Sequence, residues 1–569
     1  MSLEDVVSRW AIHINEDGRA ALGALLADRS TLEDAFARDL HFGTGGLRGK
    51  VGIGPNRLNV WTVGKATQGL ADYLDASVAE PSVVIARDSR RGGEAFVRRT
   101  AEVLAANGVT AHVFDGVAST PELTFAVREL RCSGGVCVTA SHNPAEYNGY
   151  KVYDADGCQI TTEAARGIQA RIDAADVFDG VSRTGYRDAV ARGLVREVGH
   201  GVRGRYLAEV EAQLEGVDCS GLSVAYTPLN GTGGLYVPTL LARMGIEAHV
   251  VPEQAAPDGG FPTCPRPNPE VPEAMERVVT LARERGCDLA LATDPDADRL
   301  GVAVPHGGAW RQLTGNEVGE LLMDWLLSRA VGRGEDASRL VCATTVVSAP
   351  RADDIARAWG CQLRRTLTGF KFVGEQIGLL DAAGEAGRFL FGLEESCGYL
   401  KGSYVRDKDG VEALALVCEM AADYAARGMD LVDALEDLGR RVGFQAGRQV
   451  TVPFEGAGGQ AAMAALMSGL RACPPASVAG LAVESATDYA GGAPMPVVNP
   501  LPGDAAQALP PTDMLEWRLS GGARVLVRPS GTEPKLKAYC FVRGESEEGA
   551  DYAAEALADG VREVLEGRG

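Results

Sequence analysis

The chain has 569 residues, of which 46% are hydrophobic and 23% are charged. At roughly 150 residues per domain this length predicts about three to five domains, and the apolar content excludes intrinsic disorder as the main state. The 77 acidic residues outnumber the 56 basic ones, and the net charge of −21 disfavours nucleic acid and anionic membrane surfaces as partners.

The first predicted elements are helical. Residues 1–40 show helical periodicity, as in LEDAFARDL, and the pattern ends at the glycine-rich GTGGLRG of residues 43–49. Short apolar runs then alternate with amphipathic stretches: SVVIARD at 82–88, EAFVRRTAEVLAANG at 94–108, TAHVFDG at 110–116 and GGVCVTA at 134–140. This alternation predicts α/β layers built on a mainly parallel sheet.

Two more units of the same kind follow. The second includes LSVAYTPLNGTGG at 222–234 and DLALATDPDADRLGVAV at 288–304, and the third runs from RLVCATTVVSA at 339–349 to VEALALVCEMAADYAARG at 411–428. Residues 446–569 combine β-like runs with a closing helix from about Ser546, which indicates an α+β domain. The stretch 484–515, rich in Ala, Gly and Pro, is predicted to be an irregular insertion. The predicted domains are 1–207, 208–322, 323–445 and 446–569.

The sequence shows no sign of export or of a membrane span. No stretch reaches about 18 uninterrupted apolar residues, and the N-terminus is acidic from its fourth residue. The 12 cysteines form no C-x-x-C pair and no local Cys/His cluster, so we expect reduced thiols rather than a zinc site. These features predict a cytoplasmic protein.

The first motif that can carry chemistry is TASHNP at 139–144, directly after the apolar run GGVCVTA. Ser141 therefore follows a predicted buried strand, and α/β proteins bind their ligands at the carboxyl ends of such strands. A Ser or Asx turn that closes the strand is the alternative interpretation. Because the motif lacks the G-x-S-x-G pattern, it does not indicate a serine hydrolase.

Three aspartates alternate in the segment DPDADR: Asp294, Asp296 and Asp298. This spacing brings three carboxylates to one side of an extended or gently turning chain, and anions this close need a neutralising cation. An EF-hand is excluded because its sixth and twelfth positions hold Arg299 and Pro305 instead of Gly and Glu. Carboxylates without a bidentate Glu suit Mg²⁺, and a solvated acidic turn is the alternative.

Two loops in the third unit carry polar or basic groups. GLEESCGYL places Glu394, Glu395 and Ser396 in a glycine-bounded loop, where their oxygens can bind sugar hydroxyls or simply face solvent. VRDKDG adds Arg406 and Lys408, which can bind a phosphate or pair with the neighbouring aspartates. Neither loop decides a function by itself.

Two glycine-containing loops can bind anions. RPSGTEPKLK at 528–537 combines a guanidinium, two hydroxyls and the backbone N–H groups of a glycine turn, which make either a phosphate cradle or an ordinary turn. GTGGLRGK offers Arg48 and Lys50 but does not fit G-x-x-x-x-G-K-[ST]. An NTP-dependent kinase is therefore disfavoured.

Taken together, four segments resemble the α-D-phosphohexomutase superfamily in order and separation: TASHNPAEYNGYK, DPDADRLG, GLEESCGY and RPSGTEPK. The resemblance covers nearly the whole chain. It implies three related mixed-sheet α/β domains and a C-terminal α+β domain around a central cleft. The length and the VRDKDG loop are most similar to the long phosphoglucomutase subgroup, which also contains phosphopentomutase-like members.

The resemblance also implies a role for each matching residue. Ser141 would be the phosphorylated serine, and Mg²⁺ would be held by an oxygen of its phosphate together with Asp294, Asp296 and Asp298. Arg48 and Arg299 match cations near the transferring phosphoryl group, and His142 and Lys151 match active-site positions, with Lys151 as a proton carrier. Residues implied to bind the rest of the substrate are Thr368, Gly369, Glu394, Ser396, Arg406, Lys408, Arg528, Ser530, Gly531 and Thr532.

The implied reaction interconverts a hexose 1-phosphate and a hexose 6-phosphate, with glucose the expected sugar and glucose 1,6-bisphosphate the activating intermediate. Phosphomannomutase or phosphopentomutase activity by the same mechanism stays open. A sugar-bisphosphate synthase, a Mg²⁺-dependent phosphatase and a non-catalytic sugar-phosphate sensor are further alternatives. The expected partners are small sugar phosphates.

Overall fold

The computed structural model describes residues 2–43, 45–454, 458–502, 504, 506–530 and 535–567. Its contacts divide the chain into two units. The first unit comprises the chain up to Leu313 with Gly374–Ala386 and Gly398–Ala422, and the second comprises Thr314–Val373, Gly387–Cys397 and the chain from Asp423 onwards.

The N-terminal third of the chain contains nine α-helices and six strands among the residues described. In chain order these are α1 (Leu3–His13), α2 (Glu16–Leu25), α3 (Arg29–Phe36), β1 (Gly46–Lys50), α4 (Val60–Asp75), β2 (Ser82–Arg87), α5 (Gly93–Ala106), β3 (Thr110–Phe114), α6 (Thr120–Glu129), β4 (Gly134–Val138), β5 (Tyr147–Tyr153), α7 (Thr162–Ala174), α8 (Tyr186–Ala191), β6 (Val195–Val198) and α9 (His200–Ala212). The helices α1 to α3 confirm the predicted N-terminal helical segment.

The middle of the chain repeats the alternation of strands and helices. It contains β7 (Ser223–Thr227), α10 (Val237–Arg243), β8 (Glu247–Val250), α11 (Pro252–Ala255), α12 (Pro272–Arg285), β9 (Leu289–Thr293), β10 (Leu300–His306), β11 (Ala309–Leu313), α13 (Gly315–Gly332), β12 (Val341–Thr345), α14 (Arg351–Trp359), β13 (Gln362–Thr366), α15 (Phe370–Ala382), β14 (Phe389–Glu394), β15 (Gly398–Lys401), α16 (Gly410–Ala425) and α17 (Leu431–Val442).

The last part is richer in strands. It contains β16 (Phe444–Pro453), α18 (Gly459–Ala472), β17 (Ser477–Val478), β18 (Leu481–Asp488), β19 (Ala493–Pro494), β20 (Val497–Val498), β21 (Ala508–Leu509), β22 (Leu515–Leu519), β23 (Arg524–Pro529), β24 (Lys535–Gly544) and α19 (Glu547–Leu565). Short 3₁₀ turns lie at Gly233–Leu235, Ala337–Arg339, Ala386–Arg388, Tyr489–Gly491 and Ser520–Gly522. The closing helix begins after Ser546, whose side chain accepts from the N–H of Gly549, as the sequence predicts.

The first unit holds two sheets of the same design. The first has the order β1-β5-β4-β2-β3-β6 and the second the order β11-β10-β9-β7-β8. In each sheet the parallel strands lie next to one another, and two strands with antiparallel pairing extend the sheet on one side. These two strands are β5 and β1 in the first sheet and β10 and β11 in the second. The strands β4 and β9 are buried along their whole length, because helices cover parallel sheets on both faces.

The second unit holds a smaller mixed sheet and a fully antiparallel one. Strands β12, β13 and β14 are parallel, with β12 in the centre. The antiparallel sheet has the order β16-β24-β23-β22-β18-β17 and shares its apolar core with α18 and α19. Three mixed α/β sheets followed by an α+β domain confirm the fold class predicted from the sequence.

The stretch 484–515 is not merely irregular, so that prediction was wrong. Its strand β20 pairs with β13 as an antiparallel edge strand, and Asn499 donates to the carbonyl oxygens of Ala356 and Cys361 at 2.9 Å. Two-residue strands between prolines leave no periodicity in the sequence, which is why the pattern missed them.

Within the described residues, no helix is long and apolar enough to cross a membrane. All 12 cysteines are free thiols, and all except Cys473 are buried.

Candidate active site

Ser141 follows β4 in an unusual backbone conformation. Its φ of 50° lies in the left-handed region, which residues with a Cβ rarely adopt. The side chain is buried, and its Oγ donates to Oδ2 of Asp294 at 2.6 Å. The Nδ1 of His142 lies 3.2 Å from the same Oγ. Ser141 lies in a turn, in which the N–H of Asn143 donates to the carbonyl of Ala140 at 3.1 Å, and its hydroxyl is aimed at the aspartate loop.

The three aspartates follow β9, the strand whose carboxyl end lies at the equivalent edge of the second sheet. Asp294, Asp296 and Asp298 are each at most 1% exposed, and one oxygen from each lies within 4.8 Å of the others. Ala297, with φ 54°, turns the chain, and the N–H groups of Asp298 and Arg299 donate to Oδ1 of Asp294 at 3.1 Å. The solvated acidic turn considered from the sequence is excluded by this burial.

The donor set fits a divalent cation. Oδ1 of Asp296 and Oδ1 of Asp298 are buried and have no hydrogen-bond partner among the described residues. Buried carboxylate oxygens without partners are costly, and oxygen ligands in this number and charge suit a hard cation such as Mg²⁺. The residues present therefore fit the metal that the sequence motif predicts.

Two lysines reach the same carboxylates. Nζ of Lys151 lies 2.8 Å from Oδ2 of Asp296 and 3.5 Å from Oδ2 of Asp298, and Nζ of Lys408 lies 3.1 Å from Oδ2 of Asp298. Although burial disfavours the charged form of Lys151, the two aspartates raise its pKa. Lys151 is therefore a protonated ammonium in this arrangement.

Burial and the neighbouring charges shift the pKa values of Asp294 and Asp296 in opposite directions. Burial raises the pKa of Asp294 well above its usual value, and the neighbouring Asp298 and Asp296 add to this effect. Burial acts in the same direction on Asp296, but Lys151, a hydrogen bond with Asp294 and the hydroxyl of Thr120, 2.8 Å away, outweigh it and lower the pKa of Asp296. Asp296 thus keeps its negative charge.

Two arginines supply positive charge beside the serine. Nη1 of Arg48 donates to Oδ1 of Asn143 at 3.3 Å, and burial together with the nearby Arg299 lowers the pKa of Arg48. Burial, Arg299 and Arg48 also lower the pKa of His142 well below its usual value, so the imidazole is neutral. Guanidiniums that repel each other in this way form a site suited to an anion.

Of the two cations in the VRDKDG loop, only Lys408 reaches the aspartates in the described contacts. Its neighbours anchor the loop: Asp407 accepts from Tyr153, and Asp409 accepts from Tyr206 at 2.8 Å. Arg406 is 1% exposed and its guanidinium donates to Asp381 at 2.5 Å. These contacts hold the Arg406 guanidinium in place, and the prediction that it binds substrate stays a prediction.

The second unit contains the residues predicted to contact the sugar. Gly369 follows Thr368 with φ 113°, a conformation that favours glycine. Oγ of Ser396 donates to Oε1 of Glu394 at 2.9 Å. The adjacent Glu395 accepts from the hydroxyls of Thr345 and Ser348, which fixes this loop to β12.

Only part of the predicted phosphate cradle lies within the described residues. Arg528 lies in β23, opposite Lys537 in β24. The N–H of Ser530 donates to the carbonyl of Lys535 at 2.8 Å. Gly531 and Thr532 lie outside the described residues, so their predicted role is not addressed by the structure.

Sequence comparison decides the family. Profiles of the phosphoglucomutase/phosphomannomutase family match in four consecutive parts: α/β/α domain I at residues 39–177, domain II at 199–308, domain III at 314–441 and the C-terminal domain at 495–559. The chain belongs to this family. The resemblance to the α-D-phosphohexomutases is thereby confirmed, and the chain is an isomerase of the phosphosugar mutase type.

Relatives in the phosphoglucomutase/phosphomannomutase family extend over most of the chain. A phosphoglucomutase of Staphylococcus epidermidis is 34% identical over 509 residues, which cover 89% of this chain and 91% of that protein. A phosphoglucomutase of Staphylococcus aureus is 34% identical over 521 residues, covering 90% and 91%.

Solved structures of the family share the fold. A phosphoglucomutase/phosphomannomutase family protein of Burkholderia thailandensis aligns with a TM-score of 0.64 at 20% identity, covering 93% of this chain and 97% of that one. The open form of the phosphoglucomutase parafusin from Paramecium aligns with a TM-score of 0.67 at 17% identity, covering 93% and 94%.

The sequence motifs did not reveal every residue of the site. The side chain of Thr120, at the start of α6, donates to Asp296, and its N–H donates to the carbonyl of the same residue at 2.9 Å. Arg90 donates to several carbonyls of the Ser141 loop. The segments STPEL and ARDSRRGG contain these residues, and neither segment carries a motif that indicates a site.

Proposed function

We propose that this mutase interconverts α-D-glucose 1-phosphate and glucose 6-phosphate through a phosphoserine at Ser141 and a glucose 1,6-bisphosphate intermediate. The observation that carries the proposal is the buried hydroxyl of Ser141, 2.6 Å from Asp294 at the edge of a three-carboxylate cluster. Phosphoryl transfer demands mainly positioning and charge neutralisation, and both are supported by this arrangement.

Asp294, Asp296 and Asp298 would hold Mg²⁺ together with an oxygen of the phosphate on Ser141. When bound, the metal supplies positive charge that offsets the charge of the transferring phosphoryl group. The assignment is supported by the buried oxygens of Asp296 and Asp298 for which the described part of the chain offers no hydrogen-bond partner.

The basic residues have separate tasks in the proposal. Arg48 and Arg299 bind the oxygens of the transferring phosphoryl group, for which guanidinium forks are suited. Lys151, protonated beside Asp296, gives a proton to the sugar oxygen that leaves the phosphorus and recovers it in the reverse half of the cycle. The neutral His142 keeps the hydroxyl of Ser141 oriented, and Lys408 holds Asp298.

The sugar and its second phosphate are assigned to residues of the second unit. Thr368, Gly369, Glu394 and Ser396 bind the hydroxyls, where a carboxylate is a strong acceptor. The phosphate that is not transferred binds a set of residues at the end of β23 and just after it: Arg528, Ser530, Gly531 and Thr532. Because the two phosphates of the bisphosphate exchange their roles during the cycle, the net reaction is an isomerisation.

Glucose is proposed because the relatives that match nine-tenths of the chain are named phosphoglucomutases. One hydroxyl distinguishes mannose from glucose at C2, and a pocket built from a few acceptors discriminates by only a modest factor. The proposal therefore includes a preference over mannose and pentose phosphates rather than absolute selectivity.

A coupled assay tests the proposal. Purified protein is supplied with glucose 1-phosphate, Mg²⁺ and a trace of glucose 1,6-bisphosphate, and glucose 6-phosphate is followed beside parallel reactions with mannose and ribose phosphates. We expect fastest turnover on glucose. Faster turnover on another sugar would identify that sugar as the substrate. Release of phosphate without formation of the isomer would indicate a phosphatase. Absence of turnover on all three sugar phosphates would contradict the proposed activity.

A further inference from the structure

The guanidinium of Arg90 is fully enclosed and uses all of its donors. Its side chain is 0% exposed. Nε donates to Oδ2 of Asp88 at 3.1 Å, and Nη1 donates to the carbonyls of Pro144 and Tyr147 at 2.8 Å. Nη2 donates to the carbonyls of Ser141 and Asn143. A guanidinium has five N–H groups, and each one here binds either Asp88 or the segment that runs from Ser141 to the first residue of β5, Tyr147.

Asp88 and Arg90 together form a clamp on the loop that carries Ser141, and Asp88 also binds this loop. It is 0% exposed, and its Oδ1 accepts from the N–H of Arg90 at 2.9 Å. Its Oδ2 accepts from the hydroxyl of Thr139 at 2.6 Å, and that hydroxyl in turn accepts from the N–H of Ser141 at 2.8 Å. The ion pair therefore holds the Ser141 loop both directly and through Thr139.

These contacts fix both peptide groups that flank the Cα of Ser141. The N–H on one side binds Thr139, and the C=O on the other side binds Arg90 at 2.5 Å. Ser141 is thereby kept at φ 50°, an unfavourable conformation that persists only where surrounding contacts impose it. This rotation of the backbone is what directs Oγ towards Asp294.

The clamp is also packed against the part of the first unit that carries the aspartates. The ring of Phe261 lies under the guanidinium, 5.0 Å from its carbon to the ring centroid. Gly259 forms a bridge with Arg90, and a Cβ there would approach the carbonyl oxygen of Ser89 to 2.4 Å. Arg90 therefore contacts both the loop that carries Ser141 and the segment 259–261, which lies between α11 and α12.

We propose that Asp88 and Arg90 form a positioning pair that holds Ser141 in the conformation required for phosphoryl transfer. Neither residue contacts the hydroxyl of Ser141 in the described contacts, so both act through Thr139 and the backbone. The inference rests on the proposed phosphoserine function. In the half-reaction concerned, the bond from Ser141 Oγ to phosphorus forms while a bond from phosphorus to a sugar oxygen breaks. Lys151 gives its proton to that sugar oxygen, the serine proton replaces the one that Lys151 has lost, and a hexose monophosphate leaves.

The experiment measures this half-reaction directly. Dephosphorylated protein is mixed with glucose 1,6-bisphosphate and Mg²⁺, and phosphorylation of Ser141 is followed by intact mass at several concentrations of bisphosphate. For Arg90→Lys we expect the maximal rate to fall about 10²-fold, because three ammonium donors cannot replace the fork and a displacement near 1 Å has this cost. The concentration giving half the maximal rate should stay within about threefold, because binding residues are untouched.

Arg57→Lys is the matched control. Arg57 is also a buried arginine that pairs with an aspartate, Asp34, and donates to backbone carbonyls, those of Asp34 and Asn56. None of these partners belongs to the proposed site. We expect its phosphorylation rate to stay within about threefold of that of the unmodified chain.

A second pair of variants covers the case in which Arg90→Lys does not fold. Thr139→Val removes the hydroxyl between Asp88 and the N–H of Ser141 at nearly constant volume, and Thr139→Ser keeps it. We expect slow phosphorylation in the first and a rate near normal in the second. Equal rates in both, or a normal rate in folded Arg90→Lys, would overturn the inference. Absence of phosphorylation in the unmodified chain would overturn the proposed function and this inference with it.

Discussion

Oγ of Ser141 and Oδ2 of Asp294 lie 2.6 Å apart, although 153 positions separate the two residues in the chain. Each follows a buried strand, β4 in the first sheet and β9 in the second. The contact unites the proposed phosphoryl acceptor with the proposed metal ligands. It is the geometric basis for the functional predictions.

Replacing the serine should abolish turnover while leaving the fold intact. In Ser141→Ala, loss of the Oγ removes the only atom that can accept the phosphoryl group in the proposed cycle. We expect kcat to fall on the order of 10³-fold or more, measured with the coupled assay. Ser77→Ala, which changes a hydroxyl bonded to the carbonyl of Tyr73, is the control with unchanged activity. Equal activity in both variants would remove Ser141 from the mechanism.

Neutralising one aspartate should weaken the response to Mg²⁺. In Asp296→Asn the site loses a negative charge, and an amide NH₂ group, which cannot ligate a metal, replaces one carboxylate oxygen. We expect the Mg²⁺ concentration for half-maximal activity to rise at least about tenfold. Asp288→Asn, just before the same strand β9, changes an aspartate that accepts from the N–H of Ser223 and serves as control. An unchanged Mg²⁺ response in Asp296→Asn would contradict the assignment.

Arg406 should matter for stability more than for catalysis. Its buried guanidinium binds Asp381 and the carbonyl of Val405, so Arg406→Met leaves that carbonyl without this partner. We expect the free energy of unfolding to fall by about 1–3 kcal/mol, measured by denaturant titration. The KM for the sugar phosphate should stay within about twofold. A large increase in KM with unchanged stability would instead support the substrate-binding role predicted from the sequence.

Glu320 should make the second unit less stable as the pH rises. Burial raises the pKa of Glu320 to about 7 from 4.5, and Arg351, 3.4 Å away, offsets only part of this effect. The folded state therefore holds a proton that the unfolded state releases above pH 4.5. The stabilisation is complete below that pH and is lost up to about pH 7, at no more than roughly 1.4 kcal/mol per pH unit.

The variant Glu320→Gln removes this titration. We expect the difference in Tm between the unmodified chain and the variant to change steadily between pH 4.5 and 7 and to stay constant above that range. Glu436→Gln, on the exposed face of α17 beside Arg440, is the control. A difference that does not vary with pH would show that Glu320 is ionised in the folded state.

The motifs of the site could be found in the sequence because each is contiguous. TASHNP and DPDADR place their residues directly after apolar strands, and the rule that ligands bind at the carboxyl ends of parallel strands predicts that they lie on sheet edges. The sequence also predicted the fold class, since the strand and helix alternation is strong in three units and changes in the fourth.

Other features depend on contacts between distant segments and left no local signal. Thr120 and Arg90 reach the site from the ends of α6 and β2, and their partners are up to 176 positions away. Arg406 and Lys408 are two positions apart, yet one is buried against Asp381 and the other reaches Asp298. Sequence spacing cannot predict which contacts each of these side chains makes, because tertiary packing determines those contacts.

The most direct test of the central claim is to locate the phosphate. Dephosphorylated protein is incubated with glucose 1,6-bisphosphate and Mg²⁺, digested, and mapped by mass spectrometry before and after addition of excess glucose 6-phosphate. The account predicts one phosphate on the peptide that contains Ser141, which glucose 6-phosphate removes. Turnover with the phosphate on another residue, or with no phosphoenzyme at all, would contradict it.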